Sequence, residues 1–84
     1  MNLKDLNLSK EQIEQALSAQ TDYNLTINSE AHYIIQVSSD ESIGILSIYF
    51  SPKGKCRFVC AGDKPAALKF AMKLVNKINM GVAA

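Results

Sequence analysis

Gly44-Ile45-Leu46-Ser47-Ile48-Tyr49-Phe50, then Ser51-Pro52-Lys53-Gly54, then Lys55-Cys56-Arg57-Phe58-Val59-Cys60-Ala61 reads as a strand, a tight turn and a return strand. Apolar residues occupy alternate positions in both arms, the period of a pleated strand with one buried face. Proline suits the second position of a four-residue turn and glycine the last. Reversal there sets Phe50 opposite Cys56, Ile48 opposite Phe58 and Leu46 opposite Cys60. All six share one face, and a slip of one residue would turn one set outward.

The same face extends upstream. Leu25 and Ile27 alternate with Asn24, Thr26 and Asn28, and Tyr33, Ile35 and Val37 alternate with His32, Ile34, Gln36 and Ser38. Pairing Ser38 with Ile43 across the polar stretch Ser39-Asp40-Glu41-Ser42 brings Ile35 opposite Leu46 and Tyr33 opposite Ile48. Pairing Ile27 with Tyr33 adds one more strand. Downstream, about residues 65–79 read as a helix in which Ala67, Leu68, Phe70, Ala71, Met72, Leu74, Val75 and Ile78 fill more than half the circumference. Pro65 falls in the first turn, where its missing N–H costs nothing, and Gly81 is the expected stop. The predicted fold class is α+β: a two-layer α-β-β-β-β-α arrangement, with a four-stranded antiparallel meander packed on one face by the C-terminal helix.

The first helix is announced by Leu8-Ser9-Lys10-Glu11-Gln12-Ile13. Ser9 and Gln12 stand at the two positions of a capping box, and Leu8 and Ile13 at those of a hydrophobic staple. The helix is expected to reach about Gln20. Its apolar face is only Ile13, Ala16 and Leu17, which predicts a place at the edge of the core.

The 84 residues suit a single domain over 1–84. A chain of this length buries roughly 60% of its unfolded surface, so dimerisation would help it. No run of about 18 apolar residues predicts a membrane span. The start Met1-Asn2-Leu3-Lys4-Asp5 lacks the apolar stretch and cleavage site of a signal peptide, which predicts a cytoplasmic protein. Net charge is +1, but residues 1–41 carry −5 and residues 42–84 carry +6. Such asymmetry fits an anionic partner or a self-complementary surface; an ordinary solvated surface is the plain alternative.

Catalytic chemistry is not expected. His32 is the one histidine in the chain, the acids are scattered, and Gly44, Gly54, Gly62 and Gly81 form no phosphate-binding loop. Cys56 and Cys60 share a strand face about 13 Å apart, too far for a disulfide. With His32 they do not supply four convergent metal ligands. Both read as buried, reduced core thiols, and no metal, cofactor or small-molecule substrate is expected.

Two surfaces remain. The outward face of the sheet should show Ile34 and Gln36, then Ile45, Ser47 and Tyr49, then Lys55, Arg57 and Val59, with Tyr49 beside Arg57. An aromatic among cations on an open sheet can stack bases and hold phosphates. Lys69, Lys73 and Lys77 recur every four residues along the last helix, and with Lys64 and the hairpin's Lys53 and Lys55 they could follow a phosphate backbone. The first expectation is therefore a small nucleic-acid-binding domain, for RNA or DNA, using Lys53, Lys55, Arg57, Lys64, Lys69, Lys73, Lys77 and Tyr49. The second is a protein-interaction module, a homodimer or an inhibitor or adaptor of a larger protein, using an apolar patch of Ile34, Ile45, Tyr49 and Val59.

In outline, a helix, strands and a closing helix with lysines along it is similar to double-stranded RNA-binding domains. Those have three strands and a basic cluster where the last helix begins, whereas here Lys64 is followed by Pro65, Ala66 and Ala67. The hairpin and helix over residues 45–71 resemble half of a TATA-binding-protein-like domain, such as the amino-terminal domain of ribonuclease HIII. Both likenesses are architectural and cover part of the chain, and no family residues carry over.

Overall fold

The structure, a computed structural model, describes residues 6–38 and 41–83. The signal-peptide reading of residues 1–5 and the part of the polar loop at Ser39 and Asp40 lie outside the described residues. The order is α1 (Lys10–Ser18), β1 (Tyr23–Ser29), β2 (His32–Ser38), β3 (Ile43–Phe50), β4 (Cys56–Gly62) and α2 (Lys64–Ala83). The strands form one open antiparallel sheet in the order β1-β2-β3-β4. Every pairing expected from the alternation is present: Phe50 with Cys56, Ile48 with Phe58, Leu46 with Cys60, Ile35 with Leu46, Tyr33 with Ile48 and Ile27 with Tyr33.

The β3–β4 turn closes through a hydrogen bond from Gly54 N–H to the Ser51 carbonyl at 3.2 Å. Gly54 sits at φ 79°, a left-handed conformation that a residue with a Cβ adopts only at a cost. The α1 capping box is formed in both directions: Gln12 N–H donates to Ser9 Oγ at 3.1 Å, and Ser9 N–H to Gln12 Oε1 at 2.8 Å. The helix ends at Ser18, two residues before the expected end. Asp22, at φ 60°, then reverses the chain into β1.

Both helices pack on the same face of the sheet. Ile13, Ala16 and Leu17 of α1 belong to one core cluster with Tyr33, Ile35, Leu46, Ile48 and Phe58 of the sheet and with Ala67, Phe70, Ala71, Leu74, Val75 and Ile78 of α2. Two phenols hold α1 down: Tyr33 Oη donates to Glu14 Oε1 at 2.8 Å, and Tyr23 Oη to the Leu17 carbonyl at 2.9 Å. The narrow apolar face of α1 is thus fully used rather than half-used, and Ile13 has no solvent exposure. Ahead of the helix, Leu6 pairs with Cys56 at the start of β4 by two backbone hydrogen bonds of 2.9 Å.

Three expectations change. The C-terminal helix does not stop at Gly81 but runs through it to Ala83. A glycine ends a helix when it takes a left-handed conformation at the position after it; within a helix it only weakens the helix by about 1 kcal/mol. Leu68 and Met72 are about two-fifths exposed, so the buried arc of α2 is narrower than its apolar arc. On β1, Leu25 and Ile27 point to the core side yet are 38% and 60% exposed, because the helices cover β2, β3 and β4 and leave this edge uncapped.

Burial also sets a pH limit. Desolvation pushes the Cys56 thiol from 9.0 up to about 11, against a lowering hydrogen bond from the Leu8 backbone. The hydrogen bond to Glu14, followed by burial, raises the Tyr33 phenol. Above pH 9 the unfolded chain releases the thiol proton that the folded chain still holds, so folding weakens as pH rises from 9 to 11. Thermal melts should show the midpoint falling over that range and steady from pH 7 to 9; a flat profile to pH 11 would refute it.

Candidate binding face of the sheet

Because both helices lie on one side, no helix or strand among the described residues covers the other side of the sheet. The register arranges its side chains in rows across the strands. One row is His32, Tyr49 and Arg57, with Asn28 at the register shift of β1 beside His32; the next is Thr26, Ile34, Ser47 and Val59; the third is Asn24, Gln36, Ile45 and Ala61. Among the described residues these rows contain no carboxylate. Lys55 continues the Arg57 side of the face towards the hairpin tip, where Lys53 is exposed.

The first row is an ordered column of planar groups. The His32 and Tyr49 rings stack in parallel at 4.2 Å between centroids with 10° between their planes. From the neighbouring strand on the other side, the Arg57 guanidinium carbon sits over the same Tyr49 ring at 5.0 Å. Asn28 Nδ2 lies 3.1 Å from His32 Nδ1, within hydrogen-bond reach. His32 Nε2 is shielded from solvent and has no hydrogen-bond partner among the described residues. Strand pairing brings the column together: His32 is opposite Tyr49 and Tyr49 opposite Arg57, where cross-strand neighbours stand about 5 Å apart.

This geometry alters the role expected of Tyr49. Both broad faces of its ring are engaged, one by His32 and one by Arg57, so its outward side offers a ring edge and no free face for stacking. Sequence reading placed Tyr49 beside Arg57 and missed His32 as the third member. The signal was available in the alternation, since His32 shares parity with Ile34 and Gln36.

The structure also separates the basic residues. Tyr49, Lys53, Lys55 and Arg57 lie on the outer sheet face and its hairpin tip. Lys69, Lys73 and Lys77 are exposed on α2, in the opposite layer, and Lys64 opens α2 at the far end of β4. Lys69 and Lys73 border a shallow hollow with Asp22, Ser38 and Gln20 rather than facing the hairpin. One strand of nucleic acid cannot lie on both sets without wrapping the domain.

The apolar candidates Ile34 and Ile45 are half-buried on the outer face, and Val59 is 41% exposed beside them. Ile43, 52% exposed, extends that patch. Both thiols are free, Cys56 buried and Cys60 half-buried, with the Cys60 thiol raised by burial against the nearby Lys64 charge. Among the described residues no group of three or more His, Cys, Asp or Glu is placed to hold a metal ion, and no helix is long and apolar enough to cross a membrane. No family model, curated protein or solved structure matches the chain.

Proposed function

We propose that this chain is a non-catalytic nucleic-acid-binding domain that receives a single strand across the outer face of its sheet. The observation that carries the reading is a sheet face whose cross-strand rows hold no carboxylate among the described residues and bear the His32–Tyr49–Arg57 column, with Lys55 and Lys53 beside it. The Arg57 guanidinium, at the β4 end of the column, offers a planar cation on which a base can stack, and the adjacent lysines balance phosphates. Asn24, Asn28 and Gln36 add amides able to donate to or accept from base edges on the same face. The α2 lysines play no part in this contact. Two free thiols are in keeping with a reducing, cytoplasmic setting.

The test is fluorescence anisotropy with labelled mixed-sequence single-stranded DNA and RNA at low and moderate salt. Lys55→Glu with Arg57→Glu should weaken binding by about tenfold or more, or about 1.4 kcal/mol, and flatten its salt dependence. Lys69→Glu with Lys73→Glu should leave the affinity near that of the parent. Loss confined to the helix pair would overturn the assignment of the face. A second reading, a protein-interaction module using Ile34, Ile45 and Val59, is favoured by the exposure of Val59 and Ile43, and a parent protein without oligonucleotide affinity at low salt would select it.

A further inference from the structure

The two edges of the sheet are not alike. On the β4 side, Leu6 already takes both main-chain groups of Cys56. On the β1 side nothing among the described residues does the same, and the pairing shows which groups are left over. Phe50 N–H bonds the Ala31 carbonyl at 2.8 Å, so along β2 the odd-numbered residues face β3 and the even-numbered ones face β1. The β1 partners of Ile34 and Gln36 are Thr26 and Asn24, which therefore turn their main-chain groups inward. Tyr23, Leu25 and Ile27 are left presenting N–H and C=O to the open edge.

Those are also the three β1 residues whose side chains point to the core side. Leu25 and Ile27 are 38% and 60% exposed there, beyond the cover of the helices. Exposed edges are usually blunted by lysine, proline, inward-pointing charge or a β-bulge, and here the register shift falls after Ile27, so residues 23–27 keep a regular edge. From Tyr23 to Ser29 there is no Lys, Arg, Asp, Glu or Pro.

We propose that β1 is the edge through which two copies of this chain pair, joining two four-stranded sheets into one of eight strands. The sequence of β1 is self-complementary about a two-fold axis at Leu25. In that antiparallel register Leu25 meets Leu25 of the second copy, and Tyr23 meets Ile27 in both directions. The three residues with free main-chain groups then bond one another, and all their side chains fall on the core side. On the outer side Asn24 meets Thr26. An axis at Thr26 would instead set Tyr23 opposite Ser29, beyond the register shift that follows Ile27, which selects Leu25 as the centre. A second copy fits where a charged peptide does not, because the strand offers no charge to pair with. The outer faces of both copies would then run continuously across the axis. The pairing is independent of what that face binds.

Sedimentation over a wide concentration range, with parent and Ile27→Lys proteins, reads the mass directly. The parent should sediment at twice its 9.2 kDa, and Ile27→Lys should be a folded monomer by circular dichroism. In the parent, hydrogen exchange at the Leu25 and Ile27 amides should be slow when concentrated and speed up on dilution, a measurement that requires no variant. A parent that stays monomeric with fast exchange at those amides would overturn the proposal. So would a dimer that Ile27→Lys leaves intact, or one lost instead with Val59→Lys on the outer face.

Discussion

Phe58→Ala is expected to lower the unfolding free energy by about 3–5 kcal/mol. The ring is 3% exposed at the centre of the inner face of β4, opposite the fully buried Ile48. Removing it leaves a void between the sheet and α2 that neither can fill, because the flanking residues Leu46, Ile48 and Leu74 are themselves at zero exposure and already packed. Natural domains have margins of about 5–15 kcal/mol, and a chain of this size belongs near the lower end, so the variant should be largely unfolded in modest urea. Val59→Ala, one residue along on the outer face, is the control and should cost well under half as much. Urea unfolding followed by circular dichroism distinguishes them, and equal costs would mean that the alternation of faces along β4 is wrong.

Gly44→Ala is expected to destabilise the fold by about 1–3 kcal/mol, as overpacking does in a close-packed site. Gly44 opens the inner face of β3 beneath the start of α2. A Cβ there would come within 2.8 Å of the Asp63 carbonyl oxygen, 2.9 Å of the Ala67 nitrogen and 3.2 Å of the Ala66 Cβ. Two of these are backbone atoms, and they are tied to each other: Ala67 N–H donates to the Asp63 carbonyl at 3.0 Å, while Ala66 N–H donates to Asp63 Oδ1 at 3.2 Å. Relief would require α2 to lift from the sheet at its first turn. In a strand without that contact, alanine would instead stabilise by roughly 0.5–1 kcal/mol through the entropy of the unfolded chain. The sign of the change in melting temperature therefore reports the close approach, and a variant as stable as the parent would show that α2 sits further from β3.

These two positions mark how far the residues could be read without the fold. Phe58 was legible because strand parity, turn chemistry and the partners Ile48 and Leu46 all agreed on one face. Gly44 was not, because a glycine at a strand end looks the same whether it faces solvent or a helix terminus. The capping box of α1 was likewise legible, being made within four residues, whereas the bond from Tyr33 to Glu14 crosses nineteen residues and depends on where α1 is laid.

The candidate face divides in the same way. Tyr49 beside Arg57, and Ile34, Ile45 and Val59 on the same side, followed from register alone. The separation of Lys69, Lys73 and Lys77 from Lys55 and Arg57 did not, since a charge count along the chain carries no information about layers.

By itself the sequence determined the elements, the antiparallel order and the residue-by-residue register, because alternation with period two, a turn and a cap are local or nearest-neighbour properties. Only the tertiary structure decided that both helices share one face, leaving the other open, that His32 completes a stack on Tyr49, and that Leu25 and Ile27 stand uncovered at a bare edge. Those outcomes depend on how much apolar area two helices can cover over four strands. That is a competition among distant surfaces, which no stretch of residues encodes alone.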